Sequence, residues 1–407
     1  MSGRLRVGIS WGMDGHSISN GQYRYAVDLF RSLASLDSDA EFVVFGTKAE
    51  PPSEIADLFH ARSQWTWRHH RRWPWRSGHY VTRVTHGLGL LGHGLDVLHC
   101  IDSPIPFAAP CPILWTLYDI LPEVLPEERA WRETKDWQRY RHAARTRVAH
   151  HLAISQATAD DAIRHWNIDP QRITVTHLGT RFPPTGFEDL EVGSRLARFK
   201  LPVNQPFLCA AYNLYPRKNL VSLLAAMRIL KAEELDIRLA LFGKTGFSPA
   251  REAWFDRVVA DGDLTNDVVR IGFVDDLELA DLYRSALAFV YPSLHEGFGL
   301  PLLEAMSVGA CVVARRASSM REVVEDGGVL VETAAPEALA EAIRRVLRDP
   351  HERKQIGERA IRRAGSFSLA RLAEQTLNAY EQTAAGQKAT VASRFRKRKE
   401  NSLHGPP

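Results

Sequence analysis

Two glutamates around a glycine loop are the residues of this chain whose spacing most clearly points to chemistry. Glu296 and Glu304 stand eight positions apart in His-Glu-Gly-Phe-Gly-Leu-Pro-Leu-Leu-Glu-Ala-Met. An ionised carboxylate accepts two hydroxyl hydrogen bonds at once, which suits the hydroxyls of a sugar or a ribose. The alternative is a solvated loop glutamate followed by a glutamate that the positive end of a helix favours.

The residues around these glutamates predict a strand, a glycine loop and a helix. The apolar run 287–291 has the length of a buried strand, and Pro301 suits the first turn of a helix. The free N–H groups and the dipole at such a helix start favour an anion. We therefore expect a phosphate or a sugar to meet the backbone of four consecutive residues, Gly297, Phe298, Gly299 and Leu300.

A second chemical feature is the adjacent basic pair Arg217 and Lys218. It follows the apolar strand that begins at Phe207 and precedes an apolar helix from Leu220. An arginine fork and a lysine point charge at a strand-to-helix junction suit a pyrophosphate. The alternative is a surface loop with two solvated cations.

The N-terminal half has the same alternation of strands and helices. Apolar strands at 5–10 and 41–46 flank a helix that begins at Gly21, which is the opening of a doubly wound parallel sheet. Two later strands should bring His99 and Asp119 to the carboxyl edge of this sheet, where ligands bind in such folds. For His99, a buried histidine bonded within the core is an equal alternative.

The composition limits the classes of protein that fit. At 407 residues, 45% hydrophobic and 25% charged, the chain should form two or three globular domains. No apolar run reaches membrane-spanning length, and four scattered cysteines predict a cytoplasmic protein with reduced thiols. The pair Asp261 and Asp263 lies in a polar turn, so we predict no metal site.

Positive charge is concentrated in two segments. Residues 59–95 hold six arginines and no acidic residue, and 388–400 hold six basic residues and one acid. Within the first, 65–76 interleaves tryptophan with arginine, which suits contact with an anionic membrane at the inner face of the plasma membrane. The alternative is an insertion whose tryptophans pack on the N-terminal domain. No nucleic-acid-binding motif accompanies the arginines, so we predict no nucleic-acid partner.

Several segments together resemble one enzyme family. Glu296 and Glu304 match the glutamate-x7-glutamate motif of retaining glycosyltransferases of family 4 (glycosyl transferases group 1), and Pro216-Arg-Lys-Asn219 resembles their phosphate-binding segment. Thr116-Leu-Tyr-Asp-Ile-Leu-Pro122 and Ser19-Asn-Gly-Gln-Tyr-Arg-Tyr25 resemble two N-terminal segments of the family. The chain departs from the family at Tyr118, where a histidine is usual, and at Asn20, where a glycine is usual. It is most similar to bacterial mannosyltransferases of surface polysaccharide and lipopolysaccharide synthesis.

The resemblance implies an α/β GT-B fold, in which two Rossmann-like doubly wound domains face each other across a cleft. The expected N-terminal, acceptor-side domain covers 1–190, and the expected nucleotide-sugar-binding domain covers 191–370. A C-terminal helix over 371–385 should cross back to the N-terminal domain. A basic, disordered tail should then cover 386–407.

The resemblance also implies the reaction. A sugar, with GDP-mannose or a UDP-sugar as donor, should pass with retention to a hydroxyl of a saccharide or lipid-linked acceptor, without metal or other cofactor. Arg217 and Lys218 should neutralise the leaving diphosphate, while Glu296 holds the sugar and Glu304 the ribose. Asp119 and the loop at Gly21 should act from the facing domain. Two alternatives remain open, a nucleotide-sugar epimerase and a non-catalytic nucleotide-sugar-binding subunit at the membrane.

Overall fold

A computed structural model of the chain divides it into two compact units. The first comprises Met1–Leu178 with Leu369–Pro407, and the second comprises Gly179–Ser368. The sequence predicts domain boundaries after residues 190 and 370, and in the structure the units divide after residues 178 and 368. Residue 190 lies outside the described residues. The structure describes 4–12, 21–69, 87–102, 105–180, 182, 198–199, 201, 206–243 and 248–403, with side chains to 387.

Within its described residues, the first unit holds a parallel seven-stranded sheet in the order β3-β2-β1-β4-β5-β6-β7. Strands are added outward in both directions from β1, so the strand order reverses between β1 and β4. The central strands are continuous apolar runs because both faces of the sheet are covered. The strands are Arg6–Ser10 (β1), Glu41–Gly46 (β2), Trp65–His69 (β3), Val97–Cys100 (β4), Ile113–Leu117 (β5), Val148–Ala153 (β6) and Ile173–Val175 (β7).

Helices follow most of these strands. The first helix buries an apolar stripe at three- to four-residue spacing that includes Tyr23, Ala26 and Phe30, as its sequence pattern predicts. Among the described residues of this unit, two 3₁₀ turns, Pro126–Glu128 and Pro170–Arg172, also connect these elements. The helices are Gly21–Ser35 (α1), Ala56–Ala61 (α2), Leu121–Val124 (α3), Arg129–Arg132 (α4), Lys135–Arg147 (α5) and Gln156–Trp166 (α6).

The C-terminal helix, Leu369–Leu403, belongs to the first unit and packs against α1, β4 and β6. The sequence predicts that this helix ends near residue 385 and that a disordered tail follows. This prediction is wrong up to residue 403, because the helix continues to Leu403. Gly386 does not end the helix, because the residues after it are rich in the helix formers lysine and arginine and include two alanines. The first proline beyond Gly386 is Pro406, which lies outside the described residues.

The first two tryptophans of the segment 65–76 pack against other residues of the first unit. Trp65 is 4% exposed and stacks on Phe42 with ring centroids 4.4 Å apart. Trp67 meets the ring of Trp11 edge-on at 6.3 Å, and its indole N–H donates to the Lys48 carbonyl at 3.2 Å. These two side chains follow the packing alternative rather than the membrane hypothesis. The rest of the segment, from residue 70, lies outside the described residues.

Residues 206–243 and 248–368 form the described core of the second unit, a parallel six-stranded sheet in the order β10-β9-β8-β11-β12-β13. This is the doubly wound order of nucleotide-binding sheets, with the reversal between β8 and β11. The strands are Phe207–Ala211 (β8), Arg238–Phe242 (β9), Val268–Gly272 (β10), Ala288–Tyr291 (β11), Val312–Arg315 (β12) and Val329–Val331 (β13).

The helices of this unit cover its sheet with buried leucine, isoleucine and alanine. Asp275 caps one of them, Asp276–Ser285, with a full capping box that includes Glu278. A 3₁₀ turn, Pro216–Lys218, follows β8. The helices are Leu220–Ala232 (α7), Pro249–Asp261 (α8), Asp276–Ser285 (α9), Leu300–Ser307 (α10), Ser318–Val324 (α11), Pro336–Arg348 (α12) and Pro350–Ala364 (α13).

Candidate active site

Three charged residues singled out in the second half of the sequence lie together at the carboxyl ends of β8 and β11. These strands are neighbours in the sheet, and the strand order reverses between them. Arg217 and Lys218 lie on the 3₁₀ turn after β8, and Glu296 lies in the loop after β11. In open α/β sheets the crevice at such a reversal is the place where ligands bind.

Glu296 accepts hydrogen bonds from both basic residues. The Arg217 Nη1 atom lies 3.1 Å from Oε1 and 3.0 Å from Oε2 of the Glu296 carboxylate. The Lys218 Nζ atom lies 2.6 Å from Oε1 of the same carboxylate and 2.9 Å from the Tyr291 hydroxyl. Two cations and one carboxylate leave this cluster with a surplus of one positive charge, which suits an anionic ligand.

The surroundings set the ionisation of the cluster. Burial raises the pKa of the Glu296 carboxyl, but the positive charges of Lys218 and Arg217 outweigh burial and hold that pKa below its ordinary value. Burial, with the negative charge of Glu296, raises the pKa of the Tyr291 hydroxyl well above its ordinary value. At neutral pH Glu296 is therefore ionised, and Tyr291 is a neutral hydroxyl beside Lys218.

The glycine loop leads directly into α10. Gly299, the residue before the helix, has φ +95°, a conformation that side chains with a Cβ rarely adopt. Leu300 begins the helix, and Pro301 occupies its first turn as predicted. Phe298 is 3% exposed and packs edge-on against Phe367 at 5.8 Å, so its side chain belongs to the core. At Phe298, therefore, only the backbone of the loop can contact a ligand.

Glu304 lies in the middle of α10 and is 3% exposed. Its main-chain carbonyl accepts a hydrogen bond from the Ser307 hydroxyl at 2.8 Å. An acidic side chain buried to this degree is unusual unless other groups satisfy it. The sequence spacing brings both glutamates onto the segment between β11 and β12.

The candidates from the N-terminal half have roles within the fold of the first unit. His99 is fully buried, with Nδ1 2.7 Å from the Tyr380 hydroxyl and Nε2 2.7 Å from the Thr116 hydroxyl. Burial lowers the pKa of His99 to about 3, so the ring is neutral. Both ring nitrogens are used inside the unit, which favours the structural alternative for this histidine.

Asp119, Tyr118 and Gly21 are placed as follows. Asp119 follows β5, and its Oδ1 accepts the Leu121 backbone N–H at 3.3 Å at the start of α3. Tyr118 packs edge-on against Tyr25 at 5.5 Å, and burial raises the pKa of its hydroxyl well above the ordinary value. Gly21 is exposed at the first position of α1, and a Cβ added there would meet no described atom within 4 Å. Their predicted functional roles stay predictions.

Four residues at this edge of the second unit were not predicted as site residues from the sequence. Tyr291 contacts Lys218, and Arg315 donates to the Leu294 carbonyl at 3.0 Å. Ser318 and Ser319 contact the backbone of Glu296. A usable signal was present, because all four lie at or just after the carboxyl ends of β11 and β12, the neighbours at this edge.

Comparison with solved structures defines the class of fold. Sucrose-phosphate synthase from Thermosynechococcus elongatus superposes with a TM-score of 0.74 at 20% identity, covering 94% of this chain and 100% of that chain. Anabaena HepE in complex with UDP and glucose gives a TM-score of 0.73 at 17% identity, covering 93% and 100%. The fold is therefore that of the GT-B glycosyltransferases, with two Rossmann-like domains.

Sequence comparison identifies the family. Residues 195–363 match the model described as "Glycosyl transferases group 1", and residues 19–181 match "Glycosyltransferase Family 4". The O-antigen chain mannosyltransferase B of Escherichia coli is 30% identical over 325 residues, which are 77% of this chain and 78% of that protein. The chain belongs to family 4 of the glycosyltransferases, the group 1 glycosyl transferases.

These findings confirm the predicted fold class, family and enzyme class. The epimerase and the non-catalytic binding subunit are not favoured. In the part of the chain that the structure describes, no helix is both long and apolar enough to cross a membrane. The same residues contain no group of three His, Cys, Asp or Glu side chains arranged to hold a metal ion.

Proposed function

We propose that the protein transfers mannose from GDP-mannose, with retention of anomeric configuration, to a hydroxyl of a saccharide or lipid-linked acceptor in surface polysaccharide synthesis. The name of the Escherichia coli relative, an O-antigen chain mannosyltransferase, supports mannose and this class of acceptor. The observation that carries the proposal is the cluster of Arg217, Lys218 and Glu296 at the strand-order reversal of the second unit.

The two basic residues take the leaving diphosphate. Arg217 and Lys218 are 21% and 14% exposed, so their charges are partly withdrawn from water and act strongly on a nearby anion. Negative charge on the diphosphate grows as the bond to the sugar breaks. Fixed cations at that place stabilise the transition state more than the ground state, which raises the rate.

The glutamates and the glycine loop orient the donor. Glu296 accepts hydroxyl groups of the sugar, and Glu304 accepts those of the ribose. The backbone N–H groups of Gly297, Phe298, Gly299 and Leu300 assist at the start of α10. No further cofactor and no metal take part.

The state of Glu296 favours a same-face reaction over a covalent intermediate. Its carboxylate is bonded to two cations that hold its pKa low, which makes it a poor nucleophile and a poor base. The leaving diphosphate is then the group that accepts the proton of the attacking hydroxyl. We assign Asp119 and Gly21, both in the first unit, to the acceptor.

A UDP-sugar is the second candidate donor. Anabaena HepE, which shares the fold, was solved with UDP and with UDP-glucose. The cluster of Arg217, Lys218 and Glu296 would meet the diphosphate and the sugar, which GDP and UDP donors have in common. The base therefore has to be determined by experiment.

Thermal stabilisation by nucleotides tests the proposal. The wild-type protein is heated with GDP, UDP, ADP and their common sugar conjugates, each with EDTA present. We expect GDP and GDP-mannose to raise the unfolding midpoint most. Glu304→Ala should lose most of that shift. Glu304→Gln is the second variant, to be used if the alanine variant does not fold. No shift with any nucleotide would contradict the proposal.

We also propose that the first unit touches an anionic membrane surface, on the inner face of the plasma membrane. Leu88, Leu91 and Phe107 are 61%, 56% and 45% exposed and line one apolar groove. The Arg147 guanidinium lies 4.2 Å from the centre of the Phe107 ring and adds a positive charge beside the groove. Exposed apolar side chains next to a cation suit the interface of an anionic bilayer.

Vesicle binding tests the membrane proposal. The wild-type protein should sediment with vesicles that contain phosphatidylglycerol and remain in the supernatant with phosphatidylcholine alone. The double variant Leu88→Asp, Leu91→Asp should bind several-fold less. Leu277→Asp, at a leucine of the second unit that is 46% exposed, is the matched control and should bind as wild type does. Equal binding by all three proteins would contradict the proposal.

A further inference from the structure

Two serines at the start of α11 hold the peptide groups of Glu296. The Ser318 hydroxyl oxygen accepts the Glu296 backbone N–H at 3.0 Å. The Ser319 hydroxyl donates to the Glu296 backbone carbonyl at 2.9 Å, and Ser319 is fully buried. Both main-chain polar groups of Glu296 are therefore bonded to the segment that follows β12.

Ser318 adopts a backbone conformation that favours glycine. Its φ is +45°, in the left-handed region that non-glycine residues seldom occupy. A glycine at 318 would adopt this conformation with less strain but would have no hydroxyl to meet the Glu296 N–H. The strained backbone at Ser318 therefore places the hydroxyl where it accepts the hydrogen bond from the Glu296 N–H.

The same loop is fixed from its other side. The Leu294 backbone N–H donates to the Arg217 carbonyl at 2.7 Å, and Arg315 Nη1 donates to the Leu294 carbonyl at 3.0 Å. Arg217 also bonds the Glu296 carboxylate through its side chain. The position of that carboxylate therefore depends on residues at the carboxyl ends of β8 and β12, as well as on its own loop.

We infer that Ser318 and Ser319 are positioning residues for recognition of the donor sugar. They fix the Glu296 peptide, and through it the carboxylate, in the place where it meets the sugar hydroxyls. The inference rests on the proposed function, because it takes Glu296 as the residue that contacts the sugar. The serines need not touch the donor, and the nucleoside diphosphate contacts Arg217, Lys218 and Glu304 instead.

This role predicts a selective defect. A small displacement of the carboxylate weakens its hydrogen bonds to the sugar, and misplacement by about 1 Å can cost about a hundredfold in rate. Ser319→Ala and Ser318→Ala should bind GDP within about twofold of wild type. Their preference for GDP-mannose over GDP should fall about tenfold, and kcat should fall by a similar factor.

The substitution at 318 separates strain from hydrogen bonding. Ser318→Gly removes the hydroxyl and relieves the backbone, so it should unfold at a higher temperature than Ser318→Ala. Both variants should nevertheless lose the same preference for GDP-mannose. Ser366→Ala is the control, since its hydroxyl donates to the Arg363 carbonyl at 2.7 Å in the same unit. It should keep the wild-type preference.

Calorimetric titration with GDP and GDP-mannose distinguishes the outcomes. If the serine variants keep the wild-type preference while Glu296→Gln loses it, the inference is wrong and the proposed function stands. If the variants lose affinity for GDP and GDP-mannose equally, the serines have a general structural role and the inference is also wrong. If the wild-type protein binds no GDP, UDP or ADP compound, the proposed function fails and the inference fails with it.

Discussion

The Lys218 Nζ atom lies 2.6 Å from Oε1 of Glu296, so two residues 78 positions apart form a nearly buried ion pair. One follows β8 and the other follows β11, the strands between which the sheet order reverses. The protein's own side chains form this pair, so the fold itself holds in place the charges that we propose meet the donor. Preorganised charge of this kind needs little rearrangement during the reaction.

The first prediction concerns the charge of Glu296. Glu296→Gln keeps the shape of the side chain but removes the negative charge between Arg217 and Lys218. We expect kcat to fall by about 10²–10³-fold, since contacts to the donor sugar are lost as the transition state forms. Affinity for the nucleoside diphosphate should be unchanged or higher, because the local positive charge increases.

Steady-state kinetics and nucleotide titration check this prediction. Glu337→Gln is the matched control, because Glu337 is an exposed glutamate of the same unit. It should leave both kcat and nucleotide affinity at wild-type values. A Glu296→Gln enzyme with wild-type kcat would remove Glu296 from the reaction.

The second prediction concerns pH and stability. The pKa of Glu296 in the folded protein lies below its ordinary value of 4.5, so the folded state favours the ionised form. The resulting stabilisation is fully present above about pH 4.5 and is lost as the pH falls through the folded-state pKa. The wild-type advantage in unfolding midpoint over Glu296→Gln should therefore be constant near neutral pH and shrink in acid. A difference that does not change down to pH 3 would contradict the depressed pKa.

The third prediction is an energetic coupling. Lys218→Met leaves the buried Glu296 carboxylate with Arg217 as its remaining basic contact and should reduce the free energy of unfolding by about 1–3 kcal/mol. The double variant Lys218→Met, Glu296→Gln should be destabilised by less than the sum of the two single variants. Denaturant unfolding of all four proteins gives a coupling energy, expected at about 0.5–3 kcal/mol. Strict additivity would mean that the 2.6 Å contact contributes nothing to stability.

The fourth prediction separates structure from catalysis in the first unit. Tyr380→Phe removes the hydroxyl 2.7 Å from Nδ1 of the buried His99. Leaving this nitrogen without that partner should cost about 1–3 kcal/mol of stability. We expect kcat of the folded variant to be unchanged, because His99 is bonded within the unit. A large loss of kcat at wild-type stability would restore His99 as a site residue.

Much of the fold was predictable because local sequence patterns agree with it. Apolar runs of strand length, the glycine loop before Leu300 and the stripe of α1 each gave the right element. The C-terminal helix is longer than its sequence pattern predicts, because a glycine followed by basic residues, as at Gly386, is typical of the end of a helix. A single glycine costs a helix only about 1 kcal/mol, and the helix formers that follow it can outweigh that cost.

The candidate site was predictable in its charged residues but not in its supporting contacts. Glu296, Arg217 and Lys218 belong to recognisable sequence motifs, and the fold brings them together at one edge of the sheet. The serines at 318 and 319 are marked in the sequence by their position just after β12 alone, and that position does not reveal which peptide their hydroxyls reach. For His99 the sequence left two alternatives open, because a strand-end position does not reveal that the Tyr380 hydroxyl contacts its ring nitrogen.

The most direct test of the account is calorimetric titration of GDP into wild type, Arg217→Ala and Lys218→Met, in EDTA and at fixed salt. Lys231→Met is the control, because Lys231 pairs with Asp263 and Asp267 at the surface. We expect saturable binding by wild type and the control, and affinity at least about tenfold lower in Arg217→Ala and Lys218→Met. Equal affinity in all four proteins, or no binding of GDP, UDP or ADP by wild type, would contradict a donor site at this edge of the second unit.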